Sequence, residues 1–464
     1  MQGKCWLIGE VIPGRLSAAG RFAHLRNLQT QLCAGVESIP ARAAEPVMIA
    51  IGANTLHALS ARARNRLAEL AAEGATVYVR GAGSEEGLDL APFAPSRLKA
   101  RPSSIVGYRF AASRMLPVAW AGEAMQCTAQ ACGAEGIPPQ AEPLLILRDA
   151  QGNEQTAIFA LRHGKGRVIY DLHPEHEEDC SHSPLVVRLA DPHTCHLDAG
   201  ALVAAECATG SAPRPLPPFN LTIDDRPVNL DLFNVNGLAA LLRHIAQLCP
   251  GAHTDFAWTP RHTKPSYRHL DTIKKYPTGF VWHGLHRHID HRAIASPSAE
   301  LDQGRRLVGR IQARFGVRLQ PIMIFPFERV APDQFRMLRE AGFLACVGEE
   351  HDVQRIDPNL PDYLRCSLPA VEDPVSGLKF FYRYRMKTLT RARMLAMAAL
   401  GLPIIAFAHP AQLGLRRLAR VWDPVGDLSH FDPVLNFAAA KGLPSRSLEE
   451  IALEFQRPSA QYAA

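Results

Sequence analysis

Four apolar runs in the second half of this chain end abruptly, three of them at an acid or an imidazole. Leu221-Thr222-Ile223 stops at Asp224 and Asp225, and Gly279-Phe280-Val281-Trp282 stops at His283. Leu319 to Phe325 runs into Pro326, and Leu402 to Ala408 stops at His409. Short runs without alternation read as strands buried on both faces. Between and beyond them, Thr254 to Trp258 and Gly342 to Val347 read as further strands, and Val235 to Leu248, Ala299 to Phe315 and Pro332 to Ala341 as helices. Alternating strand and helix confine the chain to α/β architectures. In a (β/α) barrel the strand C-termini converge on one face, which carries the active site. The pattern predicts that Asp224, Asp225, His283 and His409 meet at one rim.

The first half carries a different α/β pattern. Val47 to Gly52 is an apolar run closed by Gly, Ser60 caps a helix from Ala61 to Glu73, and Ala75 to Gly81 is the next strand. That is a βαβ unit of a doubly wound sheet. Glu154 to Ala160 and Gly166 to Tyr170 read as antiparallel strands around a hairpin turn at Arg162-His163-Gly164-Lys165-Gly166. From Gly210 to Pro218 four prolines interrupt any helix or central strand. The expected division is therefore an α/β domain over 1–209, a linker over 210–218 and a second domain over 219–464. Two domains suit 464 residues, because single cores rarely grow past about 250–300 residues.

Hydrophobic content of 47% and charged content of 21% belong to a globular chain rather than a disordered one. A net charge of +6 without massed basic residues gives no reason to expect a nucleic-acid partner. The denser run at Arg383, Arg385, Lys387, Arg391, Arg393, Arg416, Arg417 and Arg420 reads first as a solvated helix face. Its alternative is attraction of an anionic substrate or membrane surface, which leaves peripheral membrane contact open. No segment approaches the roughly 20 apolar residues of a membrane span, and the apolar stretch Cys5 to Ile8 is too short for a signal-peptide core. Ten irregularly spaced cysteines then read as reduced thiols of a cytoplasmic protein.

The second half resembles the polysaccharide deacetylase family of metal-dependent carbohydrate N-deacetylases. Thr222-Ile223-Asp224-Asp225 matches its first motif, a strand ending in two aspartates, and implies Asp224 as general base and Asp225 as metal ligand. His283-Gly284-Leu285-His286-Arg287-His288 stands at the second motif, whose histidines are usually spaced four apart; here Arg287 occupies that position. One extra loop residue makes His283 and His288 the ligands, with His286 the alternative to His288 and His286 or His291 as supporting partners. Phe325-Pro326-Phe327-Glu328-Arg329 stands where the family places an arginine that orients the base, which nominates Arg329. Ala406-Phe407-Ala408-His409-Pro410 resembles the last motif and implies His409 as the acid that protonates the leaving amine. The resemblance spans roughly 218 to 410. Its departures are Arg226-Pro227, where a Gly is usual, and a poor third motif.

The residues make a coherent hydrolase. One carboxylate and two imidazoles suit a divalent ion, Zn2+ foremost, with Co2+, Ni2+ or Mn2+ as alternatives, and leave coordination positions open. Asp224 then serves as base and His409 as acid. Trp258, Trp282 and Phe327, with Tyr267, are candidate sugar-stacking rings, a core role being the alternative for each. The expected activity is removal of an N-acetyl or N-formyl group from an amino sugar that is nucleotide-, lipid- or polysaccharide-linked. The rivals are a catalytically silent carbohydrate-binding or scaffold protein of the same fold and a metal hydrolase of a non-sugar amide or ester. A homo-oligomer is compatible with either reading.

Two other features of the chain are of a different kind. His173, His176, Cys180, His182, His193, Cys195 and His196 crowd one segment, but their spacing and Pro174, Pro184 and Pro192 read as a surface loop rather than a structural metal site. The first domain resembles, more loosely, the class I glutamine amidotransferase-like fold. It lacks a Gly-x-Cys-x-Gly nucleophile elbow, and Cys127 and Cys132 follow no convincing strand, so a non-catalytic role is expected.

Overall fold

The computed structural model describes residues 3–9, 18–26, 28–40, 47–81, 88–173, 185–209, 215–224, 235–261, 266–349, 370–408, 416–418, 421–423 and 428–455. The chain divides between Pro215 and Leu216 into two compact units. Among the described residues no helix is long and apolar enough to cross a membrane.

The first unit is built on a nine-stranded sheet. Its strands are β1 (Lys4–Ile8), β2 (Gln29–Cys33), β3 (Val47–Gly52) and β4 (Thr76–Arg80), a short hairpin of β5 (Leu88–Asp89) and β6 (Arg97–Leu98) standing apart, then β7 (Ala100–Phe110), β8 (Ala124–Ala134), β9 (Glu142–Asp149), β10 (Glu154–His163) and β11 (Gly166–Asp171). The order is β2-β1-β3-β4-β11-β10-β8-β7-β9. β2 to β11 in that order are parallel, and β3 and β4 flank the helix Ala61–Glu73, whose Ala63 N–H is capped by the Ser60 hydroxyl at 3.1 Å. The antiparallel half, β7 to β10, departs from the doubly wound sheet expected. Over Ala124 to Thr128, β8 alternates exposed and buried residues, the signature of a sheet with one wet face. Of the crowded histidine segment, His176, Cys180 and His182 lie outside the described residues, and the described part differs from the surface loop expected. His173 is fully buried, and Pro192–Ala208 is a helix with Asp191 as N-cap and Pro192 in its first turn, where the missing N–H costs nothing.

The second unit is a closed parallel barrel of seven strands: β12 (Phe219–Ile223), β13 (Thr254–Trp258), β14 (Thr278–His283), β15 (Gln320–Ile324), β16 (Ala345–Glu349), β18 (Lys379–Arg385) and β19 (Ile404–Ala408). β18 closes the ring by pairing with β16 on one side and β19 on the other, while β17 (Ala370–Glu372) lies antiparallel on it. Ala257, Val281, Ile322, Ile324, Ala345, Val347, Phe381 and Ile405 form one buried cluster together with Leu448, Ile451 and Ala452 of the helix Leu448–Glu454. Beside it, at the start of β13, the buried Asp255 carboxylate accepts hydrogen bonds from Asn220 Nδ2 (2.9 Å), Gln320 Nε2 (2.5 Å) and the Leu448 N–H (2.8 Å). A carboxylate on a helix N-terminus is favoured by the helix dipole, so Asp255 ties that helix to the N-terminal ends of the strands. In (β/α) barrels the active site lies at the opposite end, past the strand C-termini.

Candidate active site

The C-terminal ends of β12, β14, β16 and β18 carry the charged side chains. Asp224 follows β12 and is fully buried; its N–H donates to the Ala408 carbonyl at 2.9 Å. Both of its carboxylate oxygens accept from Arg383, Nη1 at 2.6 Å and Nη2 closer still. Arg383 is itself fully buried, and its guanidinium lies 4.2 Å from the centre of the Phe407 ring. Two residues further along β18, Arg385 pairs with the Glu349 carboxylate at the end of β16, donating through Nη2 at 2.7 Å with Nε 2.6 Å from the other oxygen. A charge inside a barrel is tolerated only when paired and hydrogen-bonded, and the planar arginine fork meets both demands. The run containing Arg383 and Arg385 is therefore no solvated helix face: these two lie on a barrel strand.

The arginine on Asp224 is thus Arg383 rather than Arg329. Arg329 is half exposed and donates through Nη1 to Asp290 at 2.7 Å. Burial pushes the Asp290 carboxyl up, but the Arg329 and Arg292 contacts outweigh it and hold it below the usual carboxylate range.

β14 delivers His283, which is buried, and its carbonyl accepts from the Thr259 hydroxyl at 2.9 Å. The chain then turns at Gly284, where φ is +85° and a Cβ would stand 2.6 Å from the Arg287 carbonyl oxygen. That turn returns His288 edge-on to His283, ring centres 4.7 Å apart and planes at 87°. His286 has its Nδ1 3.6 Å from Glu300 Oε1. The Glu300 carboxylate is forked by Arg287 at 2.6 and 3.0 Å, from the helix Pro297–Phe315. That helix comes close because Gly304 has no side chain; a Cβ there would sit 1.9 Å from the Leu285 carbonyl oxygen. Burial raises the Glu300 carboxyl, yet the Arg287 fork outweighs it and leaves the group below its ordinary value. His291 is packed edge-on against Phe325, with Nδ1 3.0 Å from Gln334 Oε1. Burial pulls its imidazole down to about 4, so it is a neutral packing group.

Phe327 stands at the same end, 44% exposed, its ring 4.7 Å from that of His288. Its φ of 58° and ψ of 17° lie in the left-handed region, unusual for a bulky residue and worth on the order of 1–3 kcal/mol of strain. Trp258 and Trp282 are buried instead, Trp258 against Phe280 and Trp282 against Phe343. They are core residues, not sugar platforms. The reason is the period of two along a strand: with Val281 in the barrel's buried cluster, Trp282 must face the opposite side. Tyr267 is exposed and lies on Phe315. Asp225 and His409 lie outside the described residues.

Two imidazoles held side by side are suitable donors for zinc and related ions. Among the described residues no three His, Cys, Asp or Glu side chains form a metal-holding group. The third proposed donor, Asp225, is the residue after Asp224.

No known family profile and no curated protein matches the chain. Among solved structures, it aligns with Agd3, a novel carbohydrate deacetylase, at a TM-score of 0.60 and 10% identity over 97% of this chain and 87% of that chain. What the two share is the fold. The T48 deacetylase with substrate (TM-score 0.27, 12% identity, 51% of this chain and 91% of that chain) and a β-galactosidase from Rahnella sp. R3 (0.26, 11%, 44% and 31%) align too weakly to carry an argument.

Proposed function

We propose that the barrel unit is a divalent-metal-dependent hydrolase that removes an N-acetyl or N-formyl group from an amino sugar. The observation that carries this reading is the Asp224–Arg383 fork at the same barrel end as the adjacent His283 and His288 rings. The shared fold with a carbohydrate deacetylase supports it.

In this reading His283, His288 and Asp225 hold the ion. Bound there, it supplies Lewis-acid polarisation of the amide carbonyl and lowers the proton affinity of a water. Asp224, oriented by Arg383, takes the proton as the water oxygen bonds to the carbonyl carbon. His409 delivers a proton to the amide nitrogen as the C–N bond breaks, so a carboxylate and a free amine leave. Arg383 touches the base rather than the substrate and is a positioning residue. Phe327, exposed beside His288, offers a ring face to a sugar.

The test is release of acetate or formate from N-acylated amino sugars by the metal-loaded protein. Release that vanishes in Asp224→Asn supports the assignment. Turnover unchanged in Asp224→Asn removes Asp224 as the base, and no release from nucleotide-, lipid- or polysaccharide-linked sugars removes the sugar amide as substrate.

A further inference from the structure

The first unit holds two buried histidines whose surroundings are those of metal ligands. β11 ends at Asp171, and His173 lies just beyond it; both are fully buried. Asp171 Oδ1 is 2.8 Å from His173 Nδ1 and also accepts the His173 N–H at 3.1 Å, while Asp171 Oδ2 accepts the Tyr78 hydroxyl at 2.8 Å. His196 lies on the helix Pro192–Ala208, its Nδ1 3.2 Å from the Pro192 carbonyl oxygen. Gly200, one turn further along the same helix face, brings the helix onto Asp171; a Cβ there would stand 2.4 Å from Asp171 Oδ2. That close approach sets the His196 ring 5.1 Å from the His173 ring, centre to centre.

The tautomers follow from the acceptors. A carbonyl oxygen accepts only, so His196 Nδ1 carries the hydrogen and, in the neutral ring, Nε2 carries the lone pair. A carboxylate likewise accepts only, which puts a hydrogen on His173 Nδ1 and leaves Nε2 as the one ring nitrogen of His173 that can offer a lone pair to an ion. Both Nε2 atoms are buried, and among the described residues neither has a hydrogen-bond partner. Imidazole with Nδ1–H tied to a carboxylate or a backbone carbonyl, and Nε2 turned to a ligand, is the arrangement that orients histidine on a metal. The carboxylate is in turn braced by Tyr78, which fixes the ring before any ion arrives.

We propose that His173 and His196 bind one borderline divalent ion, Zn2+ foremost, through their Nε2 atoms, separately from the barrel site. The ion would cross-link the end of β11 to the helix Pro192–Ala208. Imidazole nitrogen selects zinc, cobalt, nickel or copper over magnesium and calcium. Nothing in this assignment depends on the barrel chemistry.

The experiment uses the full chain carrying His283→Ala and His288→Ala, which silences the barrel imidazoles. After chelator stripping, it is titrated with Co2+, read by its visible ligand-field bands, and with Zn2+, read by elemental analysis and thermal shift. The proposal predicts uptake of one equivalent with a raised unfolding temperature. Adding either His173→Gln or His196→Gln should reduce uptake from one equivalent to none, with the circular dichroism spectrum unchanged. No uptake by the chain that retains both His173 and His196 overturns it, whatever the variants do. Uptake that survives both substitutions overturns it equally.

Discussion

Asp224 and Arg383 lie 159 residues apart in sequence and meet as a fully buried, two-pronged ion pair inside the barrel. Removing the guanidinium leaves a carboxylate with its principal counter-charge gone, a change that typically costs about 3–5 kcal/mol. Arg383→Ala should therefore lower stability in urea unfolding by that order. Arg383→Lys keeps the charge but not the fork, and should unfold more easily than the parent while losing activity through kcat. Arg329→Ala removes a half-exposed pair with Asp290 and should cost less than about 1 kcal/mol. Equal losses for Arg383→Ala and Arg329→Ala would contradict this division.

The two histidines after β14 separate by partner. His288 lies against His283, whereas His286 turns to Glu300. His288→Ala should release an equivalent of metal that His286→Ala retains, measured by elemental analysis after gel filtration. The reverse order would make His286 the ligand.

Two glycines of one helix give opposite expectations. At Gly304 a Cβ meets the Leu285 carbonyl, so Gly304→Ala must push the helix away and should destabilise by about 1–3 kcal/mol. At Gly309 nothing lies within 4 Å, so Gly309→Ala should stabilise by roughly 0.5–1 kcal/mol through helix propensity. Thermal unfolding of both variants checks the helix seat beneath the His283–His288 loop.

His291 contributes to acid stability in the barrel unit. Burial holds His291 at about 4, against 6.5 for the free side chain, with the Gln334 hydrogen bond opposing. The unfolded chain therefore takes the proton first as pH falls. The contribution is fully present above pH 6.5 and is lost between 6.5 and about 4, on the order of 3 kcal/mol in all. Unfolding free energy followed from pH 7 to 4 should fall more steeply for the parent than for His291→Leu. Parallel curves would show that His291 titrates normally.

The ends of β12 and β14 were readable because an apolar run that stops at an acid or an imidazole needs no long-range information. Arg383 was not readable. Lys379-Phe380-Phe381-Tyr382-Arg383-Tyr384-Arg385 mixes aromatic and charged residues, and a buried arginine breaks the rule that barrel interiors are apolar until its partner, Asp224, is seen. Which of His286 and His288 lies against His283 depends on the turn at Gly284, a backbone angle no spacing reveals. Trp258 and Trp282 could have been placed correctly, since strand alternation sets Trp282 opposite its neighbours Val281 and His283. His173 and His196 were hidden by distance: one ends a strand, the other rides a helix, and only the Gly200 contact with Asp171 brings them together.

A metal-dependent hydrolase at the barrel mouth is best tested by metal stoichiometry taken by difference. Purified parent protein and His283→Ala, stripped and reloaded with Zn2+, are compared by elemental analysis. The parent should hold one equivalent more than the variant, and Asp225→Ala should lose the same equivalent. Identical stoichiometry in parent and His283→Ala would contradict it.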